Sequence, residues 1–228
     1  MIYITGDTHG THDFAKLTTF VKEHHELTKQ NYLIIAGDFG GVWSAERLEE
    51  DLRPFQELPL TVLFVDGNHE NFDLINAYPV EEWNGGKVHF IKPDIVHLMR
   101  GQVYEIEGKT FFTFGGATSI DRYLRHEGIS WWSQEVPTFK DFDEGIDNLR
   151  LYKNKVDFIV THSCDEKALY YPPLISRIKK KTVYPENMML SCFEGCVEYK
   201  HWYFGHYHMD GDLTDKKTVL YNDIKQIN

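Results

Sequence analysis

The sequence predicts an α/β fold, and three observations carry the prediction. Residues 1–70 alternate short apolar runs with helix-patterned segments in the order β-α-β-α-β, as a parallel sheet with covering helices requires. Between 88 and 114 the pattern changes to short runs set apart by Gly101 and by Glu107-Gly108-Lys109, which reads as antiparallel hairpins and hence a second sheet. Third, several apolar runs end abruptly in Gly, Asp, Asn or His, the mark of a site built at the carboxyl edge of a sheet.

In chain order, Ile2-Tyr-Ile-Thr is a short strand that ends at Gly6-Asp7-Thr8-His9-Gly10. Helical spacing of Phe14, Leu17 and Val21 predicts a helix over 14–29. Tyr32 to Ala36 is a second strand, ending at Gly37-Asp38-Phe39-Gly40-Gly41; a P-loop is excluded because no Lys-Ser/Thr follows. Ser44 is positioned to cap a helix that runs to Leu58. Val62 to Val65 is the third strand, ending at Gly67-Asn68-His69-Glu70, and a helical stretch follows to Ala77. Runs 88–91, 95–99, 102–106 and 110–114 supply the hairpins.

Residues 118–140 form a long polar and aromatic loop with Asp121, Arg122, Arg125, His126, Trp131 and Trp132, a length that marks functional loops. A helix is expected over 141–154 with Asp141 as its N-cap, then a strand over 156–160 leading to His162. Residues 165–185, with Tyr170-Tyr-Pro-Pro and the basic run 177–181, read as an exposed excursion. A helix over 188–199, a strand over 201–204 ending at Gly205-His206-Tyr207-His208, and a closing strand over 218–227 complete the chain.

At 228 residues and 26.8 kDa the chain fits a single domain over 1–228. No apolar run approaches the roughly 20 residues of a membrane span, and the opening residues lack the basic and apolar regions of a signal peptide. A cytoplasmic location is therefore expected. The formal charge of −11 argues against an extended nucleic-acid or anionic-membrane surface. Cys164, Cys192 and Cys196 are too few for a disulfide framework, and Cys192 with Cys196 read as small buried apolar residues on one helix face.

Five strand ends carry the chemistry: Asp7-x-His9, Gly37-Asp38, Gly67-Asn68-His69-Glu70, His162 and Gly205-His206-x-His208. Residues i and i+2 of a strand share a side, so Asp7 with His9, and His206 with His208, point into one place. Mixed oxygen and imidazole donors suit Mn, Fe, Zn or Ni better than an all-oxygen Mg or Ca site. Seven ligands exceed one such ion and match two that share a carboxylate. The remaining His12, His24, His25, His89, His97 and His201 read as surface or packing residues, with His126 left open.

The ordered set D-x-H, G-D, G-N-H-E, H, G-H-x-H resembles the calcineurin-like metallophosphoesterase family, from Asp7 to His208. The resemblance implies a four-layer sandwich of two mixed β-sheets flanked by α-helices. It also implies two divalent metal ions, with Mn favoured and Fe, Zn, Ni or Mg as alternatives. Asp7, His9 and His208 would hold the first, Asn68, His162 and His206 the second, and Asp38 both. His69 would act as general acid and contact the phosphate. Two divalent ions about 3.5–4 Å apart clamp phosphoryl oxygens and acidify a bridging water, whose hydroxide attacks phosphorus in line; an imidazole opposite protonates the leaving oxygen.

Many members carry an Asp three residues after the bridging one, often followed by Arg; here Gly41 and Val42 stand there. That departs from the protein phosphatase branch and leaves the partner of His69 open among Asp66, Asp121, a backbone carbonyl or another group of the 118–132 loop. Arg122 or Arg125 would then bind phosphate, and Trp43, Trp131 or Trp132 would stack on a base. The expectation is a hydrolase acting on a phosphodiester or small nucleotide. A phosphomonoesterase or phosphoprotein phosphatase comes second, and a non-catalytic metal-binding scaffold third. Oligomeric state is not legible.

Overall fold

A computed structural model describes residues 1–178 and 182–228. Its strands form two mixed sheets with helices on the outer faces. The first sheet contains β1 (Ile2–Thr5), β2 (Tyr32–Ala36), β3 (Thr61–Val65), β4 (Val80–Trp83), β5 (Gly86–Lys92), β6 (Ile95–Leu98) and β13 (Ile224–Ile227), in the order β13-β1-β2-β3-β6-β5-β4. The second contains β7 (Gln102–Ile106), β8 (Lys109–Phe114), β9 (Phe158–Thr161), β10 (His201–Phe204), β11 (Gly211–Thr214) and β12 (Lys217–Val219), in the order β11-β12-β10-β9-β8-β7. Strands β1, β2, β3 and β6 run parallel, as do β8, β9, β10 and β12.

Side-chain alternation explains the layering. Ile2, Ile4, Ile34, Ala36, Leu63 and Val65 point inward and meet Tyr104, Phe111, Phe158 and Tyr203 of the second sheet. Their neighbours Tyr3, Leu33, Ile35, Val62 and Phe64 point outward, under α1 (Ala15–Glu23), α2 (Leu48–Gln56) and the short α3 (Phe72–Ile75), with Leu17, Phe20, Leu52, Phe55 and Ile75. Both faces of these central strands are buried, which is why they read as unbroken apolar runs. The outer face of the second sheet is covered by α4 (Phe139–Leu151) and α6 (Pro185–Cys196), through Leu149, Leu190 and Phe193. Among the described residues no helix is long and apolar enough to cross a membrane.

Several expectations need correction. The four hairpin strands do not build one second sheet. β5 and β6 extend the first sheet, with β6 parallel to β3, and only β7 and β8 open the second. The closing strand over 218–227 divides into β12 and β13, which lie in different sheets; Asp210 accepts backbone N–H groups of Tyr221, Asn222 and Asp223 at the crossing. Strands β4 and β11 were not expected, β4 being acidic and mostly exposed.

Helix ends also shift. α1 stops at Glu23, and α2 begins at Leu48, because the Ser44 hydroxyl donates to Glu46 instead of capping. Asp141 is the third residue of α4; Thr138 is the cap, and the two form a reciprocal capping box. Cys192 and Cys196 lie on the exposed side of α6, so their spacing marks a solvent face rather than a core stripe. In the 165–185 stretch Pro172–Arg177 is a short helix, α5, and of the basic run expected there, residues 179–181 lie outside the described residues.

Candidate metal centre

Parallel strands end on the same edge of a sheet. The carboxyl ends of β1, β2 and β3 therefore lie together, facing those of β9 and β10 across the sandwich. Asp7, Asp38, Asn68, His162 and His206 all leave these ends. Asp7, Asp38 and His162 are buried at 0%, 1% and 0% exposure.

Backbone conformation aims the candidate ligands. His9, Asp38, His206 and His208 all have positive φ, from 44° to 69°, a region that residues with a Cβ adopt at a cost. Four such residues at one spot indicate that the surrounding packing imposes the conformation. Gly67 has a different role. A Cβ there would lie 2.1 Å from Asp38 Oδ1, so only glycine lets β3 turn tightly against that carboxylate.

Asp38 lies between two groups. Its Oδ2 is 3.2 Å from His9 Nε2, and its Oδ1 is 3.3 Å from His162 Nε2 and accepts the His69 backbone N–H at 2.7 Å. On one side Asp7, His9, Asp38 and His208 offer ligand atoms that lie within 4.8 Å of one another, a grouping able to hold a metal ion. On the other, His162 Nε2 is 3.1 Å from Asn68 Oδ1 and 3.2 Å from His206 Nδ1. The carboxylate thus presents one oxygen to each group.

The donor set fits divalent cations. Asp7 Oδ2 is buried without a hydrogen bond; His208 Nε2 lies 3.2 Å away without the alignment of one. A buried, unbonded carboxylate oxygen beside imidazoles costs free energy unless a cation sits there. The electrostatics agree. Burial alone would lower the proton affinity of His9 and His162, but Asp38 and Asp7 overcome it and raise them to about 9 and about 10. Burial also works against ionisation of Asp38, yet His162, His9 and His69 hold it well below the usual carboxylate range. His206, buried and beside His162, is pushed down to about 3. The carboxylates at the strand ends draw positive charge onto His9 and His162, charge that a cation would replace, while His206 stays neutral.

Supporting groups orient the ligands. His162 Nδ1 contacts the Ala36 carbonyl at 2.9 Å, leaving Nε2 for the site. His9 Nδ1 lies 2.7 Å from Asp13 Oδ2, and Tyr221 donates to the other Asp13 oxygen while stacking on His208. The Asn68 amide donates to Ser119 Oγ at 3.1 Å, which turns its carbonyl oxygen toward His162. Ser119 is held in turn by both oxygens of the buried Glu135, at 2.7 and 2.6 Å. Lys16 spans the base of the β1 loop, donating to the carbonyls of Gly6, Asp7 and Tyr221.

Sequence reading missed Asp13, Lys16, Ser119, Glu135 and Tyr221. Asp13 alone left a signal, its four-residue spacing from His9. Glu70 is also a support: burial and the nearby Asp38 charge push its carboxyl up to about 8, and it accepts the N–H groups of Phe39 and Gly40.

The 118–132 loop reaches His69. Arg125 places Nη1 3.1 Å from His69 Nδ1 and Nη2 3.3 Å from Nε2. The two ring nitrogens point apart in the ring plane and only one of them can accept, so a guanidinium within reach of both lies over the ring as a stack. Asp121 anchors that guanidinium at 2.8 and 3.0 Å. Burial, then Arg125 and the neighbouring histidines, lower the proton affinity of His69 against the pull of Asp38. Arg122 is exposed on the same turn. Asp66 is engaged elsewhere, by Arg100 and His97. The missing Asp at position 41 has a steric reason, because a Cβ on Gly41 would lie 2.6 Å from the Phe39 ring. Trp43 and His69 line a cavity of about 350 Å³ beside His9.

Among solved structures, TT1561 of Thermus thermophilus is similar to 97% of this chain and 89% of its own, at a TM-score of 0.52 and 14% identity. A Staphylococcus aureus protein described as a candidate 5′-nucleotidase, in complex with α-ketoglutarate, matches 96% of this chain at a TM-score of 0.50 and 15% identity; the match spans 48% of that protein. At such identities the likeness concerns the fold. No curated protein matches the sequence significantly. The family model for calcineurin-like phosphoesterases matches residues 1–210, and the chain belongs to that family.

Proposed function

We propose that this chain hydrolyses phosphoester bonds with two divalent ions, Asp7, His9 and His208 holding one, Asn68, His162 and His206 the other, and Asp38 both. The observation that carries the reading is Asp38 itself, buried with one oxygen toward each group of ligand atoms. Ions bound there supply charge to the phosphoryl oxygens and acidity to a water.

The chain's own groups do the rest. Asp38 and the Asn68 carbonyl are held rigid by the backbone N–H of His69 and by Ser119, so the site needs little reorganisation. His69 gives its proton to the ester oxygen as the ester P–O bond breaks and a water oxygen bonds to phosphorus. The N–H groups that Arg125 turns to His69 would meet phosphoryl oxygens once the two side chains part, and a phosphate there would favour the protonated imidazole that Arg125 by itself disfavours.

The lead substrate reading is a phosphodiester or small nucleotide, supported by the aromatic residues of the 118–140 loop and by Gly41-Val42 in place of the protein phosphatase pair. Manganese is the metal we favour. The test is turnover of bis-p-nitrophenyl phosphate and p-nitrophenyl phosphate by purified protein with Mn, Fe, Zn, Ni or Mg. A higher diester rate supports a phosphodiesterase, and a higher monoester rate supports a phosphomonoesterase, of nucleotides or of phosphoproteins. No turnover with any metal would leave a metal-binding scaffold.

A further inference from the structure

The cavity of about 350 Å³ beside His69 is not needed to bind metal. His9 and His69 line it, with Gly10, Thr11 and His12 of the β1 loop and a wall of Gly40, Trp43, Arg47 and Asp51 from the β2–α2 connection and the first turn of α2. The volume is at the small end of the roughly 300–1,000 Å³ of small-molecule sites.

In an in-line displacement the leaving group departs opposite the attacking water, beside the acid that protonates it. Given His69 as that acid, the space that continues from His69 receives the leaving group. The wall there is preorganised. The Trp43 carbonyl accepts from Asn71 Nδ2 at 2.8 Å. Its ring meets Trp132 in a T-shaped contact, 5.4 Å between centroids and 88° between planes, and Trp132 is buried with its N–H on Asp73. A T-shaped contact engages at most one face of Trp43, and the residue lines the cavity. Arg47 and Asp51 are paired at 3.2 Å on the same wall, which sets a donor fork next to a carboxylate acceptor.

The geometry points to a nucleoside as the leaving group: its base stacks on Trp43, its polar edge meets Arg47 and Asp51, and its ester oxygen lies at His69. This rests on the phosphoesterase reading above and narrows the substrate to an ester whose leaving group is a nucleoside. An aromatic ring with both donors and acceptors on its edge satisfies every element of the wall. A phosphoserine side chain would fill only the His69 end and leave Trp43 uncovered.

Two measurements test it. The first compares kcat/KM for adenosine and uridine 5′-monophosphates with that for methyl phosphate, using Mn-loaded protein. The wild type should favour the nucleotides by about 100-fold or more. Trp43→Ala should lower that ratio at least 10-fold, and Trp43→Phe should largely restore it. A wild-type ratio near one, with both esters turned over, overturns the pocket and leaves the phosphoesterase reading intact. Failure to turn over any phosphoester overturns that reading, and the pocket with it.

The second needs neither metal nor turnover. In saturation-transfer NMR with free adenosine and uridine, base protons should receive saturation from the wild type and from Trp43→Phe, but not from Trp43→Ala. The absence of transfer from the wild type, or its survival in a folded Trp43→Ala protein, overturns the proposal.

Discussion

Two regions meet at the site, and they are built on opposite principles. The strand ends at Asp7, Asp38, Asn68, His162 and His206 are short, buried except at the part-exposed His206, and follow strands that are paired on both sides. The stretch 118–132 is long and irregular, and it exposes Ile120, Tyr123, Leu124 and Ile129 at 72–79%. The first region holds charge in place. The second adds one cation, Arg125, and one hydroxyl, Ser119. Rigid elements give the precision that metal ligands need, whereas a loop tied down at a few points brings groups that must move when substrate arrives.

The loop is tied at its ends. Thr118 donates to Glu186 of α6 twice, and Ser119 donates to Glu135. Arg100 donates to Asp66 at the end of β3 and to the carbonyls of Gln134 and Glu135, joining the two regions directly.

If the strand ends are the charge-holding half, the largest effect should come from Asp38→Asn. It should lose both ions and reduce turnover by about 10³-fold or more, since the clamp is worth several kcal/mol. Metal content of the purified variant checks this, and two ions still bound would remove Asp38 from its place between the groups. His69→Ala should keep its metal and lose about 10²–10⁴ in kcat. Loss of an ion from that variant would make His69 a ligand instead.

Breaking the tie between the regions comes next. Arg100→Ala leaves Asp66 buried without its main partner and should cost about 3–5 kcal/mol in denaturant unfolding. Burial alone would raise the Asp66 carboxyl, but Arg100 and then His97 hold it far below the usual range. A carboxylate depressed in this way contributes stability above roughly pH 3.9, its unfolded value, and loses it as the pH falls further. The gap between wild type and Arg100→Ala should therefore shrink in acid, and a gap constant from pH 7 to 3 would argue against the pair.

Smaller effects should mark the loop. Arg125→Ala should lower kcat/KM about 10–100-fold without changing metal content, and Asp121→Asn should do so less, because Asp121 acts only by holding Arg125. Equal metal loss in both would make the loop part of the metal centre. Ser119→Ala should weaken metal binding by about 10-fold or slightly more, the lower range for a group that orients a ligand. Titration with Mn²⁺ reads that change, and unchanged affinity would mean that the Asn68 amide needs no guide.

Much of this was legible in the chain. Apolar runs of four or five residues ending in Gly-Asp, Gly-Asn-His or Gly-His-x-His announced buried parallel strands with polar ends, because burial on both faces forces an unbroken run. The family model over residues 1–210 agrees with that ordered set. Sheet membership was not legible. Nothing in the runs at 88–91 and 102–106 says that one pairs into the first sheet and the other into the second, since both alternate alike and the choice depends on distant partners.

What the sequence determined by itself is therefore the inventory and the order: which strands end in Asp, Asn and His, and that α/β layering would bring those ends to one edge. Local pattern suffices there, because strand period and burial act on neighbours. Only the tertiary structure decided that Asp38 gives one oxygen to each group, that Ser119 turns Asn68, that Arg125 rather than Arg122 lies on His69, and that Trp43 walls a cavity beside it. The contacts of Asp38, Asn68 and His69 join residues 29 (His9 to Asp38) to 124 (Asp38 to His162) positions apart, and their energies depend on distances that no local pattern encodes.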